Sequence, residues 1–158
     1  MPGPGLDLVG EEELAGLADV IQSGRLSRYG PDDDTFPAKV RRFEEAVAAE
    51  AGVSYALAVN AGTSGLYLAL TGLGVGPGDE VVVPGFTFVA TISSVVYARA
   101  VPVLAEVDAT FNLDPADVES RITDRTRAIV AVHMLGNAAR IEELKAIAER
   151  HGVALIED

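Results

Sequence analysis

The sequence predicts an α/β fold: an open, mainly parallel sheet with helices on both faces. Two observations lead there. From residue 55 onward, apolar runs of strand length alternate with segments of helical length, the signature of strand–helix–strand units. Most of those runs, such as Val81-Val-Val83 and Ala128-Ile-Val-Ala-Val132, are continuously apolar rather than alternating. That is how a strand buried on both faces of a parallel sheet reads. The chain has 158 residues, 49% of them hydrophobic and 23% charged, enough to bury a core without covalent staples.

Taken in order, residues 1–10 are rich in Pro and Gly and read as loosely held. A first helix is expected over residues 11–23. Leu14, Leu17 and Ile21 mark one face, acids crowd the start, and Gly24 stops it. Residues 25–34 are polar, contain a Gly-Pro break and read as loop. A second helix is expected over residues 36–51, with Asp34 or Thr35 as cap, Pro37 in the first turn, and Phe36, Val40, Phe43 and Val47 at helical spacing. Strands are expected at residues 56–59, 80–83, 101–107, 128–132 and 153–156. The helices between them are expected at 63–73, 89–99, 115–122 and 140–151. No internal repeat or low-complexity block interrupts this order. Four strands end on Asn60, Pro84, His133 and Asp158. Ligands of open α/β sheets bind outside the carboxyl ends of the strands, so chemistry is sought there first.

Composition removes several classes of function. Cysteine is absent and there are two histidines, His133 and His151. Disulfides, cysteine-based metal sites and a thiol nucleophile are excluded, and no metal site is expected. Twelve basic residues against twenty-four acidic ones give a net charge of −12, which argues against nucleic acid or an anionic membrane as partner. No apolar run approaches the ~20 residues of a membrane span. The start, Met1-Pro-Gly-Pro-Gly-Leu-Asp7, has neither the basic nor the apolar region of a signal peptide. The expected location is cytoplasmic. Tryptophan is absent and aromatics are 6%, a poor platform for stacking bases.

The sharpest local feature is Asn60-Ala-Gly-Thr-Ser-Gly65, after a strand and at the start of a helix. Free amides and the positive end of the helix dipole converge at such a point. Gly62, Thr63 and Ser64 therefore form either a phosphate cradle or a small-residue turn capped by Thr63. The run lacks the lysine of a Walker A loop and misses G-x-S-x-G by one position. The glycines of Gly72-Leu-Gly-Val-Gly-Pro-Gly78 follow a helix and precede a strand, the reverse of a dinucleotide fingerprint, and read as a turn. Asp158 closes a buried strand as a cap or as the partner of a cationic heterocycle. Phe88 offers a face to a ring or packs in the core. His133 is an acid–base group or a structural one. The two lysines, Lys39 and Lys145, sit on helix faces and read as solvated charges.

These residues, in this order, resemble the DegT/DnrJ/EryC1/StrS aminotransferases, pyridoxal-phosphate (PLP) sugar aminotransferases of fold type I. The matching segments are Ser23-Gly24 with Gly30, Phe43-Glu44, the Asn60 turn, Gly78-Asp-Glu-Val-Val-Val-Pro84, Thr87-Phe-Val-Ala-Thr91, Pro102-Val103, Val107-Asp108 and Asn112-Leu-Asp-Pro115. They continue through Ile122-Thr123, Thr126-Arg-Ala-Ile129, Val132-His133 with Gly136, and Ile156-Glu-Asp158. They run through roughly residues 5–158. The resemblance implies that Gly62, Thr63 and Ser64 bind the PLP phosphate, Phe88 stacks on the pyridine ring and Asp158 pairs with the pyridinium nitrogen, with His133 near the cofactor. A protonated ring nitrogen makes PLP an electron sink.

The family's Schiff-base lysine follows the Glu-Asp strand, so no catalytic residue is expected among these 158. The sequence reads as an N-terminal part: a helix and loop at 1–34, then the first part of the PLP-binding large domain at 35–158. The isolated chain is expected to be inactive. The function implied for the whole enzyme is transfer of an amino group from Glu or Gln to a keto sugar, usually nucleotide-linked, in amino-sugar, antibiotic or polysaccharide biosynthesis. A PLP-dependent sugar 3-dehydratase of the same family, with His in place of the lysine, and a non-catalytic fragment are the alternatives. The family also implies a homodimer with shared active sites. Loop 25–34, with Arg25 and Arg28, is either a candidate to reach the crevice or the partner, or a solvated loop.

Overall fold

The computed structural model describes residues 5, 8–31 and 38–158. The chain divides into two compact units, Met1–Ala58 and Val59–Asp158.

The first unit holds helices α1 (Glu11–Ser23) and α2 (Lys39–Ala51). At the start of α1 the Gly10 amide donates to the Glu13 carboxylate at 2.7 Å, and Glu11, Glu12 and Glu13 face the positive helix end. Gly24 ends α1 in the left-handed conformation at φ +65°, which costs glycine nothing. Leu14, Leu17 and Ile21 lie together as the spacing requires, and all three are exposed. Helix α2 is described from Lys39 onward; Asp34, Thr35, Phe36 and Pro37 lie outside the described residues. Its one buried residue is Glu44, whose carboxylate accepts the Ala58 amide at 2.8 Å and pairs with Arg28 at 2.6 Å. The Ala58 N–H first, and then Arg28, hold this carboxyl below its ordinary range. Arg28 is thus engaged inside its own unit, at a contact the loop's composition did not signal.

The strand expected at residues 56–59 does not form: the segment is irregular and contributes no rung to the sheet. Tyr55 and Leu57 stand exposed. An apolar run of strand length becomes a strand only where a neighbour completes its ladder, and none among the described residues does.

The second unit is the α/β body. Helix α3 (Gly62–Gly72) is followed by β1 (Glu80–Pro84), α4 (Val89–Tyr97), β2 (Val101–Ala105), α5 (Pro115–Arg121), β3 (Thr126–Ala131), α6 (Ile141–His151) and β4 (Ala154–Glu157). The four strands form one parallel sheet in the order β2-β1-β3-β4. β2 is an edge, where the missing N–H of Pro102 is tolerated.

Side chains alternate faces along each strand, and each face has its own core. Val81 and Val83 pack with Leu66 and Leu70 of α3 and Val95 of α4. Val82 packs on the other side with Val118 of α5 and Leu144 and Ile147 of α6. The split follows from chain direction. The step from β1 to β2 runs one way across the sheet and uses α4. The steps from β2 to β3 and from β3 to β4 run the other way and use α5 and α6. Right-handed crossovers moving in opposite directions must lie on opposite faces.

The chain's direction thus reverses between β1 and β3, and the segments leaving those two strands part toward opposite faces. This opens a crevice at the carboxyl end of the sheet. The amino end is closed instead. There Glu80, 5% exposed, is held by the Thr123 hydroxyl and the Arg125 guanidinium. No helix among the described residues is long and apolar enough to cross a membrane.

A cleft at the carboxyl ends of the strands

Helix α3 opens at Ala61, in extended conformation, with no side-chain cap. The first intrahelical bond runs from the Gly65 amide to Ala61 O at 3.1 Å. The amides of Gly62, Thr63 and Ser64 therefore have no acceptor among the described residues, as the first turn of a helix dictates. Next to this helix end, β1 runs out through Gly85, whose amide donates to Ala105 O at 2.8 Å. A Cβ on Gly85 would stand 3.3 Å from that same oxygen. The tight exit leads to Phe88, the extended residue before α4, which is 76% exposed. Residues after β3 and β4 complete the enclosure. Gly62, Thr63, Phe88, Thr91, His133 and Asp158 all line one cleft of about 330 Å³.

Three polar arrangements are fixed within it. Thr91, 1% exposed, donates its hydroxyl to Asp158 Oδ2 at 2.9 Å. A carboxylate only accepts, so the Thr91 proton is committed, and the Thr87 hydroxyl, 3.0 Å away, is the donor to Thr91. The backbone of Asp158 bonds to its neighbour strand: its amide donates to Ala131 O at 2.7 Å, and its carbonyl accepts the His133 amide at 3.0 Å. At His133, Nδ1 accepts the Ala139 amide at 3.1 Å and Nε2 lies 3.2 Å from Glu157 Oε2. An amide donor at Nδ1 places the ring proton on Nε2, directed at Glu157. Both nitrogens are engaged.

The third arrangement is the turn after His133, a single 3-10 turn from Met134 to Gly136. Leu135 sits there at φ +54°, 90% exposed and on the cleft. That backbone region disfavours a branched side chain. The turn is held from beneath by Asn112, which is 2% exposed. Its Oδ1 accepts the Met134 amide at 2.9 Å, and its Nδ2 donates to Asn137 O at 3.1 Å and Ala138 O at 3.3 Å. Asp108, next to this region, accepts from Thr110 and pairs with Arg140 at 3.1 Å. The Thr110 bonds first, then Arg140, lower its carboxyl.

Of the residues singled out in the sequence, the structure brings Gly62, Thr63, Phe88, His133 and Asp158 together. Ser64 turns aside: its hydroxyl donates to Asn60 Oδ1 at 2.8 Å, and with Thr63, Tyr67 and Tyr97 it lines a neighbouring hollow. Lys145 lies on the exposed side of α6, and Lys39 pairs with Asp19 at 2.9 Å. Sequence reasoning passed over Thr87, Thr91 and Asn112 as site residues. The two threonines carried no signal, since Thr87 precedes α4 and Thr91 meets Asp158, 67 positions away. Asn112 had none either, since its three loop partners lie 22–26 positions away.

Known proteins share the sequence and the fold of this chain. Residues 7–158 match the DegT/DnrJ/EryC1/StrS aminotransferase family. The L-glutamine:2-deoxy-scyllo-inosose aminotransferase of Streptomyces paromomycinus is 46% identical over 143 residues, covering 90% of this chain and 34% of that protein. The crystal structure of 3-amino-5-hydroxybenzoic acid synthase superposes with a TM-score of 0.88 at 41% identity, over 95% of this chain and 38% of that one. The structure of NtdA from Bacillus subtilis, with bound cofactor PMP, superposes with a TM-score of 0.84 at 30% identity, over 95% and 34%. The chain spans little more than a third of the length of the curated relatives it matches. Its sequence, its parallel sheet and its cleft make it a member of the DegT/DnrJ/EryC1/StrS aminotransferase family.

Proposed function

We propose that this chain builds the cofactor cleft of a PLP-dependent aminotransferase that moves an amino group from glutamate or glutamine to the carbonyl carbon of a nucleotide-linked keto sugar. One observation carries the reading. A helix N-terminus, an exposed aromatic ring and a carboxylate, supplied by separate elements, open into one cleft. Its volume, about 330 Å³, is at the small end of the range for small-molecule sites, roughly 300–1,000 Å³.

The residues fit PLP by the chemistry of the donor set. A phosphate calls for convergent N–H and O–H donors, and the amides of Gly62, Thr63 and Ser64 with the Thr63 hydroxyl supply them. A flat heterocycle calls for an apolar face, which Phe88 presents while excluding water. A cationic ring nitrogen calls for an acceptor that cannot donate, and Asp158 is one. When bound, PLP supplies the electron sink for transamination. Asp158 holds the proton at the ring nitrogen. His133, with both its nitrogens engaged, orients the segment after β3 and is not free to move a proton while those bonds hold. The covalent amine is neither Lys39 nor Lys145. The assembly is a homodimer, as the family resemblance implies, and the location is cytoplasmic, as the sequence reading expects.

The named inosose aminotransferase favours a second acceptor, a keto-cyclitol without a nucleotide, with glutamine as donor. The test is direct. The enzyme that carries this chain at the full length of its relatives is purified with PLP and incubated with L-glutamine or L-glutamate and either a nucleotide-linked keto sugar or a keto-cyclitol, and the products are read by mass spectrometry. An aminated ring supports the reading and chooses between acceptors. A product that has lost a hydroxyl oxygen instead points to the 3-dehydratase branch, and no product with any acceptor overturns the proposal.

A further inference from the structure

We propose that Thr91, driven by Thr87, is a positioning residue that sets the Asp158 carboxylate for the ring nitrogen of the cofactor. The inference rests on the PLP reading of the cleft and goes beyond it. Helix hydroxyls ordinarily bond back to a carbonyl three or four residues earlier, and three of them here show that pattern. Ser93 bonds to Val89 O at 2.8 Å, Ser94 to Thr91 O at 2.8 Å and Thr71 to Tyr67 O at 2.9 Å. Thr91 does not. Its hydroxyl leaves its own helix and reaches Asp158 Oδ2, 67 positions along the chain.

A buried hydroxyl at this position has a cost. Thr91 is 1% exposed, where valine would fill the same volume without a polar group to satisfy. The hydroxyl is fully used, accepting from Thr87 and donating to Asp158. Its effect is geometric. The terminal torsion of an aspartate is broad, and a donor fixed at Oδ2 locks the carboxylate plane. Oδ1 is left as the oxygen with no partner among the described residues. The two threonines thus hold one oxygen from the helix side, and the other is presented to a cation in the cleft.

The experiment compares wild type, T91V, T91S and D158N, with PLP itself as the probe. The readouts are the PLP dissociation constant and the pH midpoint at which the absorbance of the bound cofactor changes. T91V is expected to weaken PLP about tenfold, the value of a hydrogen bond to a charged group. It should also lower the midpoint, because a wandering carboxylate holds the ring proton less well. T91S, which keeps the hydroxyl, restores both. D158N shifts both further than T91V does. Wild-type affinity and midpoint in T91V, alongside a shifted D158N, overturn the positioning role and leave the cofactor reading standing. An indifferent D158N overturns the cofactor reading and the proposal with it. Should T91V not fold, T87V removes the outer donor only. It is expected to lower the midpoint by less, and an unchanged midpoint there overturns the proposal.

Discussion

Asp158 is the residue on which the proposed chemistry of the cleft turns. It is expected to tolerate replacement by glutamate far better than by alanine, since only alanine removes the anion proposed to face the ring nitrogen. In an enzyme of the proposed activity, Asp158→Ala should cost on the order of 10²–10³ in turnover, as removal of a preorganised charge-stabilising group does. Near wild-type turnover of the alanine variant by steady-state assay would contradict the assignment. Asn112 acts at the same scale but on the backbone. It satisfies one amide and two carbonyls of the segment that carries Leu135. Asn112→Ala removes the partner of the half-buried Met134 amide and of two carbonyls on exposed residues, at about 1 kcal/mol, the net value of a typical hydrogen bond. Faster hydrogen exchange at the Met134 amide, with slow exchange kept in β1, is the expected result.

At the scale of elements, the sheet is held differently at its two ends. The apolar middle depends on residues such as Leu70 of α3, which is fully buried against β1 and α4. Leu70→Ala is expected to cost about 2–5 kcal/mol of stability by chemical denaturation, and a loss under 1 kcal/mol would mean that α3 is not seated on the sheet. The closed amino end depends on Glu80. The Thr123 hydroxyl first, and Arg125 after it, hold its carboxyl below the ordinary value. A carboxyl whose folded pKa is depressed contributes stability that is present above its unfolded value and is lost as the pH falls through the folded one. Glu80→Gln should therefore be less stable than wild type at neutral pH. The two should converge below about pH 4.3, the ordinary glutamate value. A gap that persists unchanged at pH 3 would show that packing, not charge, is the contribution.

For the molecule as a whole, the placement of its two lysines makes a prediction about covalent capture of the cofactor. Lys39 is paired with Asp19 on helix faces of the first unit, and Lys145 lies on the exposed side of α6. Borohydride reduction of this 158-residue chain with PLP, followed by peptide mapping, should give no stoichiometric label at either. Specific labelling of one of them together with turnover would refute the reading of both as surface charges.

The sequence by itself determined the order of elements after residue 60, the two-faced burial of β1 and β3 and the polar residues at the strand ends. These are local properties: the apolar period, glycine at helix ends and chain direction into a turn can be read within a window of ten residues. Gly24 stops α1 for reasons carried by its own neighbours. Tertiary structure decided what depends on a distant partner. Residues 56–59 have a strand's composition but form none, because a ladder needs a second strand. Arg28 is spent on Glu44, sixteen positions away. Ser64, beside Thr63 in the sequence, turns to Asn60 and leaves the cleft to its neighbour. Thr91 met Asp158, and Asn112 the turn after His133, only when crossovers of opposite direction brought the ends of β1, β3 and β4 to one crevice. A hydroxyl or an amide has its meaning from the group it meets, and that group was set by the path of the chain across the sheet.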